Sequence, residues 1–107
     1  MDLPEIDVDE AARRHAAGTT IVDVREPDEY ADGHVPGAPL VPLGSVPGRV
    51  DAFGADEVLV ICKSGGRSAQ AVEHLRGRGI DAVNVAGGTM GWIRAGHRVV
   101  IGDEPGS

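Results

Sequence analysis

The apolar residues of this chain fall into short runs that alternate with stretches of helical spacing. The clearest run is Val58–Ile61, in which all four residues are apolar and three are β-branched, a pattern typical of a strand buried on both faces of a parallel sheet. Apolar residues then recur at helical spacing from Ser68 to the glycines at 77–79, and 82–85 is a second apolar run. Together these segments predict one βαβ unit with parallel strands.

The rest of the chain continues the alternation of strands and helices, which predicts an α/β fold. Such a fold places its ligands beyond the carboxyl ends of its strands. The expected strands are 5–8, 20–25, a weak strand at 40–42, 57–61, 82–85 and an edge strand at 98–101; the expected helices are 9–17, 27–31, 45–53, 68–77 and 90–95. Residues 1–101 are expected to form a single domain, and 102–107 a disordered tail.

The only cysteine, Cys62, lies where the predicted strand ends and a glycine-rich loop begins. A lone cysteine is most often a small buried hydrophobe. The glycine-rich loop after Cys62 instead favours a role for Cys62 as a nucleophile. Gly65 and Gly66 can adopt positive φ, which allows backbone N–H groups to turn inward and form an anion-binding concavity. Lys63, the only lysine, is the next residue after the thiol and adds a positive charge.

The helix after the loop is expected to raise the local potential further. Ser68 is a favourable N-cap residue, and a helix N-terminus carries a partial positive charge. Arg67 adds a full charge beside it. These groups favour the thiolate, which is the nucleophilic form of cysteine, so we expect the pKa of Cys62 to lie below about 7.5, against roughly 8.5 for a free thiol.

Three segments, in chain order, resemble the signatures of rhodanese domains. Residues 23–38 (DVREPDEYADGHVPGA) resemble the amino-terminal signature, 58–68 (VLVICKSGGRS) carry the active-site loop, and 87–92 (GGTMGW) resemble the carboxy-terminal signature. The resemblance implies a rhodanese-like three-layer α/β/α fold with a small, mostly parallel central sheet. It also implies a sulfurtransferase of the thiosulfate (rhodanese) type, for which no cofactor is expected. The residues themselves argue against a metal site, since there is no second cysteine and no histidine pair at ligand spacing.

In that family's reaction, the catalytic cysteine takes a sulfane sulfur from a donor such as thiosulfate and becomes a persulfide. An acceptor, either a thiol or cyanide, then removes the sulfur, and with one cysteine in the chain the acceptor must be external. The resemblance assigns catalysis to Cys62. The substrate-binding residues are expected to be Lys63, Ser64, Gly65, Gly66, Arg67 and Ser68.

Two alternatives of different kinds accompany the sulfurtransferase. One is a phosphatase or arsenate reductase of the same fold, which the loop length opposes: Cys62–Arg67 spans six residues, the length in sulfurtransferase rhodaneses, whereas the related phosphatases have one more. The other is a sulfur-relay or regulatory module that carries sulfur without turnover, and the sequence separates it poorly from an enzyme. Within the loop, Arg67 is expected to bind the sulfonate of the donor, because its planar fork suits paired oxygens.

The composition limits the kinds of partner and the cellular compartment that are expected for this protein. The formal net charge of −7 over 107 residues argues against nucleic acid or an anionic membrane as a partner. One cysteine excludes an intramolecular disulfide and suits a reducing compartment. The sequence shows no signal peptide and no run of membrane-spanning length, so a cytoplasmic location is expected.

Four other residues attract attention, and a structural role is favoured for each. Asp23 and Arg25 lie two apart on a strand and therefore face the same side; either they form a charged network near the site or they pair with acids and lock the following turn. His34 is expected to be structural, and Trp92 to anchor the core.

Overall fold

A four-stranded parallel sheet forms the centre of the protein. In the computed structural model, which describes residues 3–107, the strands are β1 (Glu5–Ile6), β2 (Thr20–Asp23), β3 (Val58–Ile61) and β4 (Ala82–Val85), in the order β1-β4-β3-β2. All the pairings are parallel, so the carboxyl ends of the strands meet at one edge of the sheet.

Helices cover both faces of this sheet. They are α1 (Val8–Ala16), α2 (Pro27–Asp32), α3 (Gly66–Gly77) and α4 (Gly88–Arg94). The expected βαβ unit is therefore present as β3, α3 and β4. Helix α2 begins with Pro27, whose missing N–H is tolerated in the first turn.

Strand β3 divides the core into two clusters because its side chains alternate between the faces of the sheet. Leu59 and Ile61 pack in the cluster that α1 and α4 complete, whereas Val58, Val60 and Cys62 lie in the cluster that α3 completes. All five are essentially buried. The three-layer α/β/α arrangement with a small parallel sheet, expected from the resemblance, is confirmed.

Two of the expected strands are reduced to single bridges. At 40–42, only Leu40 forms an isolated parallel bridge, with Asp23; Pro39 precedes this segment and Pro42 ends it, and a proline cannot donate to a ladder. At 98–101, only Val100 forms a bridge, an antiparallel one with His34. Both predictions of a strand were therefore wrong.

The helix expected at 45–53 is also different in the structure. Two short 3₁₀ helices, Leu43–Gly48 and Val50–Phe53, occupy this stretch. Pro47 lies inside the first and lacks an N–H group, and Arg49 between them has a non-helical φ of −133°, so a continuous α-helical ladder cannot form.

The segment 102–107, expected to be a disordered tail, makes several hydrogen bonds in the structure. The N–H of Gly37 donates to the carbonyl of Pro105 at 2.8 Å, and Nε2 of His34 lies 2.9 Å from the carbonyl oxygen of Glu104. His34 is fully buried and stacks on Tyr30, with ring centroids 3.6 Å apart. His34 therefore joins the tail to the turn after α2.

Trp92 anchors the core as expected. It is 4 % exposed, and its indole N–H donates to the carbonyl of Arg98 at 2.8 Å. Across residues 3–107, the structure has no helix with both the length and the apolar character that crossing a membrane requires.

Candidate active site

The thiol of Cys62 lies at the carboxyl end of β3, enclosed by the loop that follows. Cys62 is 1 % exposed. Its Sγ accepts a hydrogen bond from the backbone N–H of Gly65 at 3.1 Å and lies 3.3 Å from the hydroxyl oxygen of Ser68. Gly65 has a φ of +114°, which an L side chain rarely adopts, and it is the N-cap of α3. The left-handed residue closes the loop on the sulfur.

Opposing effects act on the pKa of the Cys62 thiol. Burial, the largest single effect, raises this pKa because it disfavours the charged form. Hydrogen bonds from the Ser68 hydroxyl and from the backbone N–H groups of Ser68, Gly65 and Ser64 lower it, and together they bring the pKa below its usual value. The direction agrees with the expectation from the sequence, but the main cause is the set of hydrogen-bond donors in the loop.

Ser68 does not cap its helix, as its residue type had suggested. It lies in the first turn of α3, which begins at Gly66, and is fully buried. Its hydroxyl oxygen lies between Cys62 Sγ and Asn84 Oδ1, 2.5 Å from the latter. The hydroxyl is therefore available to bond to the thiol and to Asn84, because the N-cap of the helix is Gly65, which has no side chain.

Arg67 is engaged by an acid that the sequence analysis did not consider. Its two terminal nitrogens donate to the two carboxylate oxygens of Glu29, on α2, at 2.7 and 2.8 Å. This bidentate pair lowers the pKa of Glu29 to about 2 and raises the pKa of the Arg67 guanidinium. The planar fork of Arg67 is thus already matched by a carboxylate in the resting protein.

Lys63 is exposed and lines a cleft of about 240 Å³ beside the loop. No carboxylate of residues 3–107 lies within 4 Å of its ammonium group. The residues around the cleft combine two cations, two acids and an apolar face from α4: Arg25, Glu29, Asp32, Gly33, Lys63, Thr89, Met90 and Ile93. Lys63 therefore contributes an exposed positive charge to this cleft.

Asp23 and Arg25 pair with each other rather than with other acids. Arg25 donates to the Asp23 carboxylate at 2.8 Å and to the carbonyl of Gly33 at 2.9 Å, and both side chains are buried. The bond to Gly33 ties the start of the turn after β2 to its end. Arg25 also lines the cleft, so the pair is both a lock for the turn and part of the wall near the loop.

The start of α4 holds the backbone of the loop from the other side. The N–H and hydroxyl of Thr89 both donate to the carbonyl of Cys62, at 2.8 and 3.0 Å, and the N–H of Met90 donates to the carbonyl of Lys63 at 3.0 Å. Gly88, with φ of +59°, brings the two backbones into contact. The sequence reasoning missed this role, for which the glycine pair at 87–88 was the available signal.

Asn84 is a second residue that the sequence reasoning missed. It lies in β4, beside Val60 of β3, and is 2 % exposed. Its amide nitrogen donates to the carbonyl of Gly65 at 3.3 Å and to the carboxylate of Glu5 at 3.2 Å. A polar residue inside a strand that is otherwise apolar and buried was the signal that could have revealed it.

Comparison with known proteins agrees with this geometry. A family model described as a rhodanese-like domain matches residues 7–95. The chain belongs to the rhodanese-like domain family. A sulfurtransferase of Allochromatium vinosum is 36 % identical over 100 residues, which cover 90 % of this chain and 94 % of that protein. A putative sulfurtransferase of Bacillus subtilis, YtwF, is 38 % identical over 73 residues, which cover 67 % of this chain and 71 % of that protein.

A solved structure shows the same fold over most of the chain. The crystal structure of a rhodanese-related protein from Thermoplasma volcanium superposes with a TM-score of 0.85 at 34 % identity, covering 91 % of this chain and 97 % of that one. In this rhodanese-like domain, Gly65 and Ser68 lie beside the sulfur of Cys62. Lys63 and Arg67 lie outside that group, one on the cleft and one in a pair with Glu29.

Proposed function

We propose that this rhodanese-like domain is a sulfurtransferase that carries a sulfane sulfur as a persulfide on Cys62. The observation that carries the proposal is the environment of the Cys62 sulfur, which receives the N–H of Gly65 at 3.1 Å and lies 3.3 Å from the Ser68 hydroxyl. Donors at these positions favour the thiolate over the thiol, and the thiolate is the attacking form. The names of the two relatives support the reaction class.

With thiosulfate as the donor, the reaction has two displacement steps. The Cys62 thiolate attacks the outer sulfur of thiosulfate, the S–S bond of the donor breaks, and sulfite leaves with the electron pair. The resulting persulfide carries its negative charge on the outer sulfur. An acceptor thiolate or cyanide then attacks that sulfur, the bond to Sγ breaks, and Cys62 leaves as a thiolate. Each step is a thiol–disulfide type of exchange, and no oxidant or cofactor takes part.

The loop from Lys63 to Ser68 is proposed to bind the donor and to stabilise the persulfide. A Cβ added at Gly66 would meet no atom within 4 Å, so this part of the loop is open to an approaching donor. Lys63 lines the cleft, with no carboxylate of residues 3–107 within 4 Å of its ammonium group, and is proposed to meet the anionic part of the donor. Ser64 and Ser68 lie on either side of the glycines, and their backbone N–H groups act on the thiol.

Intact-mass measurement after exposure to thiosulfate tests the proposal. The wild-type chain is expected to gain the mass of one sulfur atom, and dithiothreitol is expected to remove it. Cys62→Ser is the control and should gain nothing. A gain in Cys62→Ser, or no gain in the wild type with thiosulfate, with polysulfide and with a small-molecule persulfide, would contradict the proposal.

Repeated turnover distinguishes an enzyme from a module that only relays sulfur. With thiosulfate and cyanide both in excess, we propose that thiocyanate accumulates far beyond one molecule per protein. Accumulation that stops at one molecule per protein, with the persulfide formed normally, would favour the relay. The persulfide itself is common to both, so this measurement separates the two functions without disturbing the site.

The domain is expected not to hydrolyse phosphate esters. Only four residues lie between Cys62 and Arg67, and the donor of Gly65 is directed at the sulfur. Release of p-nitrophenol from p-nitrophenyl phosphate should therefore be no faster than with Cys62→Ser. Phosphate release that depends on Cys62 would replace the sulfurtransferase with the phosphatase alternative.

A further inference from the structure

One hydroxyl hydrogen, that of Ser68, has two acceptors. The hydroxyl oxygen lies 2.5 Å from the amide oxygen of Asn84 and 3.3 Å from the sulfur of Cys62. The three residues are each at most 2 % exposed, so solvent is kept from competing with them. A hydroxyl has one hydrogen to donate, and it can serve only one of these acceptors at a time.

The orientation of the Asn84 amide follows from its other contacts. Its nitrogen faces two acceptors, the carboxylate of Glu5 at 3.2 Å and the carbonyl of Gly65 at 3.3 Å. A reversed amide would turn its oxygen towards both of these oxygens, so the network assigns the nitrogen to this side. The amide oxygen therefore faces Ser68 and is the nearer of the two acceptors for the hydroxyl hydrogen.

The contact with Asn84 makes the Ser68 hydroxyl a weaker donor to the thiolate than it would otherwise be. When Cys62 carries its proton, the S–H group can donate to the Ser68 oxygen while Ser68 donates to Asn84, and every group has a partner. When Cys62 is ionised, Ser68 can donate to the sulfur only by leaving the Asn84 oxygen without a hydrogen. An unsatisfied buried acceptor is unfavourable, so Asn84 opposes the contribution of Ser68 to the thiolate.

We propose that Asn84 is a positioning residue that competes with Cys62 for the Ser68 hydroxyl hydrogen. This competition sets the balance between two steps, the attack of the Cys62 thiolate on the donor and the departure of the same thiolate when the acceptor takes the sulfur. The proposal deepens the sulfurtransferase reaction and rests on it. A more basic thiolate attacks faster but leaves less readily. By withholding one hydrogen bond, Asn84 keeps the sulfur nucleophilic for uptake, while the backbone N–H groups still stabilise the departing thiolate.

The pH dependence of alkylation by iodoacetamide tests the competition. Asn84→Leu, a substitution of similar size, removes the amide oxygen and leaves the sulfur as the sole acceptor for Ser68. The midpoint of alkylation is expected to fall, with about a two- to tenfold rise in the acid dissociation constant of the thiol, as one added hydrogen bond permits. Ser68→Ala should shift the midpoint upward.

The decisive variant is the pair of substitutions together. If Asn84 acts through the Ser68 hydroxyl, Asn84→Leu has no effect on the midpoint in the Ser68→Ala background, because there is no hydrogen to redirect. A role in packing alone would produce the same shift in both backgrounds. Val83→Ala is the matched control, since Val83 is the neighbouring β4 residue, packs in the other core cluster and should leave the midpoint unchanged.

Rates of sulfur uptake provide a second readout. At a pH at which the thiol of each protein is fully ionised, Asn84→Leu should take sulfur from thiosulfate about two- to threefold more slowly for each tenfold rise in acidity, as the dependence of thiolate nucleophilicity on pKa predicts. Release of the sulfur to cyanide should become faster. A change of both steps in the same direction would contradict the proposal.

If Asn84→Leu does not fold, a second variant still tests the proposal. Asn84→Ala removes the same oxygen without adding bulk, and it must lower the midpoint as Asn84→Leu does. An unchanged or raised midpoint in the folded variant, or an equal shift with and without the Ser68 hydroxyl, would overturn the proposal. If wild-type Cys62 alkylates normally but never accepts sulfur, the proposed function fails instead, and the two failures are distinguishable.

Discussion

Gly88→Ala is expected to lower the free energy of unfolding by about 2–5 kcal/mol, the sum of a left-handed backbone penalty and overpacking. At a φ of +59°, a Cβ at Gly88 would lie 2.5 Å from the carbonyl carbon and oxygen of Lys63 and 2.6 Å from the carbonyl oxygen of Cys62. These are backbone atoms, which cannot rotate away as a flexible side chain does. The loop must move or the start of α4 must unfold.

Urea or thermal unfolding checks this expectation, with Gly96→Ala as the matched control. Gly96 also has a positive φ, +88°, but a Cβ there would meet no atom within 4 Å. The control should therefore show the backbone penalty alone, about 1–2 kcal/mol. Equal losses in the two variants would show that the contact between Gly88 and the loop does not constrain the site. In folded Gly88→Ala, alkylation of Cys62 should also lose its wild-type pH profile.

Arg67→Ala is expected to raise the KM for thiosulfate about ten- to a hundredfold, the range for loss of one or two charge-assisted hydrogen bonds. Glu29→Gln should act in the opposite direction and lower the KM, because it frees the Arg67 fork from its bidentate carboxylate. In the double variant, the Glu29 substitution should have no further effect. This last result shows that Glu29 acts through Arg67.

The comparison of KM values among these variants does not depend on pH in the neutral range. Arg67 holds the pKa of Glu29 at about 2, so the pair is fully formed above the usual pKa of a glutamate, near 4.3, and is lost only as the pH falls towards 2. Its contribution to stability follows the same course. Arg76→Ala is the matched control: Arg76 also lies on α3, pairs with Asp81 and should leave the KM unchanged. An unchanged KM in Arg67→Ala would remove Arg67 from the donor site.

The sequence was most informative where local pattern and local chemistry coincide. The run before Cys62 predicted β3 because four apolar residues can be buried on both faces of a sheet, and the glycine pair at 65–66 predicted the loop because the turn needs a positive φ. The start of α3 was misplaced by two residues, because a left-handed Gly65 can cap a helix as well as Ser68 can.

The parts that the sequence did not predict depend on contacts between distant residues. Glu29 pairs with Arg67 across 38 residues, and Thr89 binds the Cys62 carbonyl across 27. The sequence around each residue does not indicate its partner. Glu29 lies in the first turn of a helix, where an acid is favourable without any partner, and Thr89 follows two glycines, which mark only a turn. The strand expected at 40–42 is reduced to a single bridge beside Pro39 and Pro42, which cannot donate to a ladder, whereas the bridge of Val100 again depends on a distant residue, His34.

The bonds from α4 to the loop also affect when the site is assembled during synthesis. A chain is made from its amino terminus, so Cys62 and its loop are synthesised before residues 88–90 exist. Until then, the carbonyls of Cys62 and Lys63 lack the donors of Thr89 and Met90. A nascent chain therefore holds its thiol in an unfinished loop, and the nucleophile acquires its final environment only as the last helix docks.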